Sequence, residues 1–109
     1  MPTTYKVLGQ VNPSATTATT LYTVPSSTAT VASTISVCNQ AGTAATYRIA
    51  IRPAGATLEA KHYIVYGATV PASDATMLTL GITLATTDVV TVYASSANLS
   101  FNLFGSEIA

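Results

Sequence analysis

Apolar and polar side chains alternate with a period of two over most of this chain, the pattern of strands with one face buried. In Thr46–Arg52, Tyr47, Ile49 and Ile51 fall on one face, and Arg48, Ala50 and Arg52 fall on the other. Leu78, Leu80, Ile82 and Leu84 alternate with Thr79, Gly81 and Thr83, and the same period returns in Leu99–Leu103. Val31, Ile35 and Val37 alternate with Ala32, Thr34, Ser36 and Cys38. The pattern predicts strands over Tyr5–Val11, Thr20–Val24, Thr30–Cys38, Thr46–Arg52, His62–Tyr66, Thr76–Leu84, Val89–Ala94 and Leu99–Phe104. Turn-forming residues separate them: Pro25-Ser26-Ser27, Asn39 to Gly42, Pro53-Ala54-Gly55, Pro71 to Asp74, and Thr86-Thr87-Asp88. Ala54–Lys61 has room for one helical turn, and no amphipathic helix is evident. About eight short antiparallel strands predict an all-β fold: a β-sandwich of immunoglobulin-like or jelly-roll-like type, or a small barrel. Its core is expected to hold Tyr47, Ile49, Ile51, Leu80, Ile82, Val92, Phe101 and Leu103.

Length and continuity predict one domain over residues 1–109. The Ala/Thr/Ser-rich stretch Asn12–Thr20 allows two readings of residues 1–20: a loop feeding a first strand, or an extended N-terminal arm reaching a neighbour.

Composition adds the feature that most changes the functional picture. Charged residues make up 7% of the chain, against about 25% in a typical soluble domain. The formal net charge is zero. A surface of Thr, Ser, Ala and Asn is easily taken out of water, which suits burial against neighbours. Four basic residues make no patch for a phosphate backbone, so nucleic acid is not an expected partner. No apolar run approaches the roughly 20 residues of a membrane span. The opening Met-Pro-Thr-Thr-Tyr-Lys lacks the basic-then-apolar order of a signal peptide, so synthesis in a cytoplasm is expected.

Little in the chain points to catalysis. His62 is the one histidine and Cys38 the one cysteine, and neither stands in a motif that would make it a nucleophile or base. Cys38 is expected to be a free, structural thiol. The four carboxylates are scattered, with Asp74 and Asp88 in turn positions. No clustered ligands suggest a metal and no Gly-rich loop suggests a phosphate, so no catalytic, cofactor-binding or metal-binding residues are assigned. Exposed strand tyrosines among Tyr47, Tyr63, Tyr66 and Tyr93 would suit sugar stacking, although the chain has no Trp. Packing across strands is the alternative for the same rings. Arg48 and Arg52 share a strand face about 13 Å apart. They are the candidate subunit or partner contact.

Five segments carry a family likeness. Leu21-Tyr22-Thr23-Val24-Pro25, Val31 to Asn39, Thr46 to Pro53, Lys61-His62-Tyr63-Ile64 and Val92 to Gly105 resemble small structural proteins of tailed bacteriophages, cyanophages among them. The resemblance covers roughly Leu21 to Glu107. It implies a non-enzymatic virion component: a capsid decoration (cement) protein, or a tail or baseplate accessory protein. A glycan-binding module on a fibre or cell surface is the alternative of a different class. The expected partners are further copies of the chain, a trimer by analogy to decoration proteins, and a major capsid protein or tail proteins.

Overall fold

The alternating runs fold as eight antiparallel strands in a computed structural model that describes residues 2–109. They are β1 (Thr3–Val11), β2 (Thr19–Thr23), β3 (Ala29–Asn39), β4 (Ala45–Arg52), β5 (Tyr63–Val70), β6 (Ala75–Leu84), β7 (Val89–Ala94) and β8 (Leu99–Ile108). Two four-stranded sheets result, in the orders β1-β8-β3-β6 and β2-β7-β4-β5. The first strand lies beside the last, the second beside the seventh, the third beside the sixth and the fourth beside the fifth. A ribbon of nested pairs rolled into two layers is a jelly roll, which distinguishes this sandwich from the immunoglobulin order. Within residues 1–20, Thr3–Val11 pairs with β8 of its own chain as an edge strand, while Met1 lies outside the described residues.

The inner faces meet in one core. Tyr47, Ile49, Val92, Phe101 and Leu103 are all buried there, with Ile35, Val37, Val90 and Leu99. Phe101 of the first sheet meets Tyr47 of the second edge to face, with ring centroids 6.2 Å apart.

The structure corrects the sequence reading at four places. Ile51, Leu80 and Ile82 are only half-buried. Leu80 and Ile82 lie on β6, an edge strand with a neighbour on one side only. Val31 does not share a face with Ile35 and Val37. The pairing of β3 with both β8 and β6 shifts between Ala32 and Thr34, and the extra residue, Ser33, reverses the side-chain phase. Ala32 therefore takes the inner position and Val31 faces outward. His62 is not in a strand. It closes a short 3-10 turn, Ala60–His62, where its Nδ1 accepts the Glu59 N–H at 3.0 Å and its own N–H donates back to the Glu59 carbonyl at 3.1 Å. That reciprocal cap holds the chain helical one residue longer than the alternation implied. The single turn expected within Ala54–Lys61 is in fact two separate turns, Pro53–Gly55 and Ala60–His62.

One polar network ties the layers together. The Tyr22 hydroxyl on β2 bonds Glu107 on β8 and lies 2.8 Å from the Thr30 hydroxyl, and Lys6 Nζ reaches Glu107 at 3.3 Å. Burial first, and then the bond to the Glu107 carboxylate, push Tyr22 up to about 12. That same bond holds Glu107 below its ordinary range, with Lys6 adding to it against the opposing effect of burial. Two signs follow. Glu107 contributes stability above the unfolded carboxylate range, and loses it as pH falls through its lowered folded value. Tyr22 contributes stability below pH about 10, where the unfolded phenol ionises, and loses it as pH rises towards about 12. Tyr47, also raised by burial, adds to the alkaline side. Urea unfolding across pH should show stability falling at both ends. Glu107→Gln should flatten the acid limb and Tyr22→Phe should shrink the alkaline one. An acid limb unchanged in Glu107→Gln would refute the assignment.

Candidate functional site

A sandwich of this kind presents two outer faces, and their chemistry differs. Strand register assigns Tyr5 and Val7 of β1, Phe104 and Ser106 of β8, Val31 of β3 and Met77 and Thr79 of β6 to the outer face of the first sheet. Lys6 and Glu107, the charged residues of that sheet, lie in register on its opposite side, where they pair with each other. The outer face of the first sheet therefore carries no charged side chain among the described residues. Tyr5 is 85% exposed and Met77 72%, and Val7 and Phe104 are also exposed. An open depression lies between Tyr5, Val31, Ser33, Phe104 and Ser106, and Lys6 also borders it from the β1 edge. Polar pairs such as Gln10–Asn102 complete the surface with neutral groups.

The outer face of the second sheet carries the two sequence-predicted contact residues, and they have different surroundings. Arg52 bonds its own chain: Nε to the Ala56 carbonyl at 2.7 Å, Nη2 to the Gly55 carbonyl at 3.0 Å and Nη1 to the Thr91 hydroxyl at 3.4 Å. It fastens the Pro53–Gly55 turn. Arg48 is flanked in register by Tyr93 on β7 and Tyr66 on β5. Its guanidinium carbon lies over both rings, 4.2 Å from the Tyr93 centroid and 4.3 Å from that of Tyr66. Tyr63 meets Tyr66 edge to face at 5.0 Å. Of the four strand tyrosines read from the sequence, Tyr47 is core while Tyr63, Tyr66 and Tyr93 gather around Arg48. The alternation put Arg48 outward, but only the strand order shows which rings stand beside it.

The remaining reactive groups stay apart. Cys38 is a free thiol on β3, in register on the outer side of the first sheet, whereas His62 is buried in its turn beside the second. Both Asp88 oxygens accept backbone N–H groups, from Ala54 at 2.9 Å and from Ala85 at 2.8 Å, and Asp74 accepts from Ala75 at 2.8 Å. His62, Glu59, Lys61, Ile51 and Ile64 border a second open depression at the end of β4. No group of three metal-ligating side chains occurs among the described residues.

No protein-family model matches this chain, and no curated protein matches it. The two outer faces are thus the features from which a function can be argued. The first is a broad neutral surface, and the second holds Arg48 between aromatic rings, with no carboxylate partner among the described residues.

Proposed function

We propose that this protein is a non-enzymatic structural component that works packed in many copies into a larger assembly, as a decoration (cement) protein of a tailed-phage capsid. The observation that carries the reading is the outer face of the first sheet, free of charge and exposing Tyr5, Val7, Met77 and Phe104. Burying such a face removes apolar area from water and strands no ion, and the neighbouring Tyr5, Val7 and Phe104 form an exposed apolar group of the kind found at interaction sites. The jelly roll adds support because it recurs in viral capsid domains, although fold alone does not decide function. The likeness of Leu21–Glu107 to small phage structural proteins supplies the setting. The partners are further copies of the chain, with a trimer expected, and the major capsid protein. The same chemistry serves a tail protein at another position on the particle.

The test is sedimentation of the purified chain at micromolar concentration, combined with binding to shells and tails that lack it. An oligomer that binds shells is expected, with little response to added salt because few ion pairs are available to screen. Tyr5→Asp and Met77→Asp place a charge on the face at exposed positions. Each should weaken association by about tenfold or more, the effect of roughly 1.4 kcal/mol, with the thermal midpoint of the isolated chain unchanged. A stable monomer that binds neither shell nor tail would overturn the reading.

A further inference from the structure

None of the four carboxylates of the chain is paired with Arg48. Both Asp88 oxygens and one of Asp74 accept backbone N–H groups, and Glu107 serves Lys6 and Tyr22. Arg48 has no hydrogen-bond or carboxylate partner among the described residues, and the hydroxyls of Tyr63, Tyr66 and Tyr93 have none either. The cluster is thus rich in donors and holds a positive charge that meets ring faces but no carboxylate among the described residues. The guanidinium is held over two rings, 4.2 and 4.3 Å from their centroids, so its freedom is already reduced before any ligand arrives.

We infer that Arg48, held between Tyr66 and Tyr93, is a receptor for a carboxylate of a protein neighbour, an Asp or Glu side chain presented to the outer face of the second sheet. This deepens the assembly reading and rests on it, by naming the chemistry of the partner at a second surface. A guanidinium is a planar fork that matches the two oxygens of a carboxylate, and it binds them more strongly than neutral groups. Asp88 and Glu107 of another copy are already bonded within their own chain, which makes a neighbour of different sequence the better source. A sugar fits less well. Arg48 already covers one face of Tyr66 and of Tyr93, and Tyr63 packs against Tyr66, so less of the rings is left for a sugar to stack on, although Tyr66 stays largely exposed. Arg and Tyr are the residue types that concentrate at the energetic centre of protein interfaces.

The full chain, labelled with nitrogen-15, is titrated with a hexaglutamate peptide, with hexaglutamine and with trigalacturonate, while the Arg48 Nε–H and the amides of Tyr66 and Tyr93 are followed by NMR. Hexaglutamate should shift these signals saturably, and added salt should reverse the shift. Hexaglutamine should leave them in place. Arg48→Met keeps an apolar stem over the rings and should weaken hexaglutamate binding by about tenfold or more. Arg48→Lys, which keeps the charge and loses the fork, should fall between. An unchanged spectrum elsewhere shows that the variants fold. Tighter binding of trigalacturonate than of hexaglutamate overturns the inference in favour of an acidic sugar. No response to hexaglutamate, or an equal response in Arg48→Met, overturns it outright. Shell binding measured on the same preparation separates the two proposals: a chain that binds shells and ignores hexaglutamate loses only this one.

Discussion

Phe101→Ala should lower the unfolding free energy by about 3–5 kcal/mol, the range for emptying a buried aromatic site. Phe101 has no exposed surface, and it sits on β8, an interior strand flanked by β1 and β3. Its ring reaches across the sandwich to Tyr47 on β4, so the cavity would open between the layers and not at an edge. Neither sheet can close it without moving two strands that are hydrogen-bonded on both sides. Against a total of about 5–15 kcal/mol for a domain, the loss leaves a marginal fold. Urea unfolding at pH 7 measures it: the midpoint should drop while the slope stays near that of the parent. A loss below about 1 kcal/mol would mean that Phe101 does not bridge the layers.

Phe101 was readable from the sequence because β8 keeps strict alternation from Leu99 to Leu103. The same holds for Tyr47 and Ile49 on β4, and every expected strand is present to within a few residues of its predicted ends. Period-two patterning is a local property, and the chain displays it openly because so few charges interrupt it. What failed to show was whatever depends on a neighbour. Ser33 looks like any polar strand residue, yet it is the extra residue that reverses the phase of β3 and turns Val31 outward. His62 sits against an apolar run, and only its exchange of bonds with Glu59 makes it a turn residue. Leu80 and Ile82 carry the same alternation as central strands, and their half-exposure follows from the edge position of β6.

The candidate sites divide along the same line. That Arg48 and Arg52 share a face follows from spacing alone. Their different surroundings do not, because Arg52 is claimed by the Gly55 and Ala56 carbonyls a few residues on, while Arg48 meets rings from two other strands. The neutral face of the first sheet is implied in composition by the 7% of charged residues. Its location required the register that turns Lys6 and Glu107 to the other side.

Gly9→Ala should destabilise the protein by about 3 kcal/mol, the upper range for overpacking, because the added methyl has nowhere to go. A Cβ at Gly9 would lie 2.2 Å from the Leu21 carbonyl oxygen and 3.2 Å from its carbon. Both atoms belong to the backbone of β2, in the opposite sheet, so no side-chain rotation relieves the clash. The requirement arises from pairing. The β1–β8 register shifts between Val7 and Gly9, which sets Gly9 beside inward-facing Leu103 and brings β1 against β2 where the two layers meet. Since β1 is an edge strand, the least costly response is for it to lift away from β2 and β8. That would carry off Tyr5 and Val7, which form one side of the neutral face. Association should therefore weaken together with stability, and hydrogen exchange should accelerate along β1 before the rest of the first sheet. Gly42→Ala is the control, because a Cβ there meets nothing within 4 Å and the change should cost little. A Gly9→Ala protein as stable as the Gly42→Ala protein, with β1 amides equally protected, would show that the sheets do not approach this closely at β1 and β2.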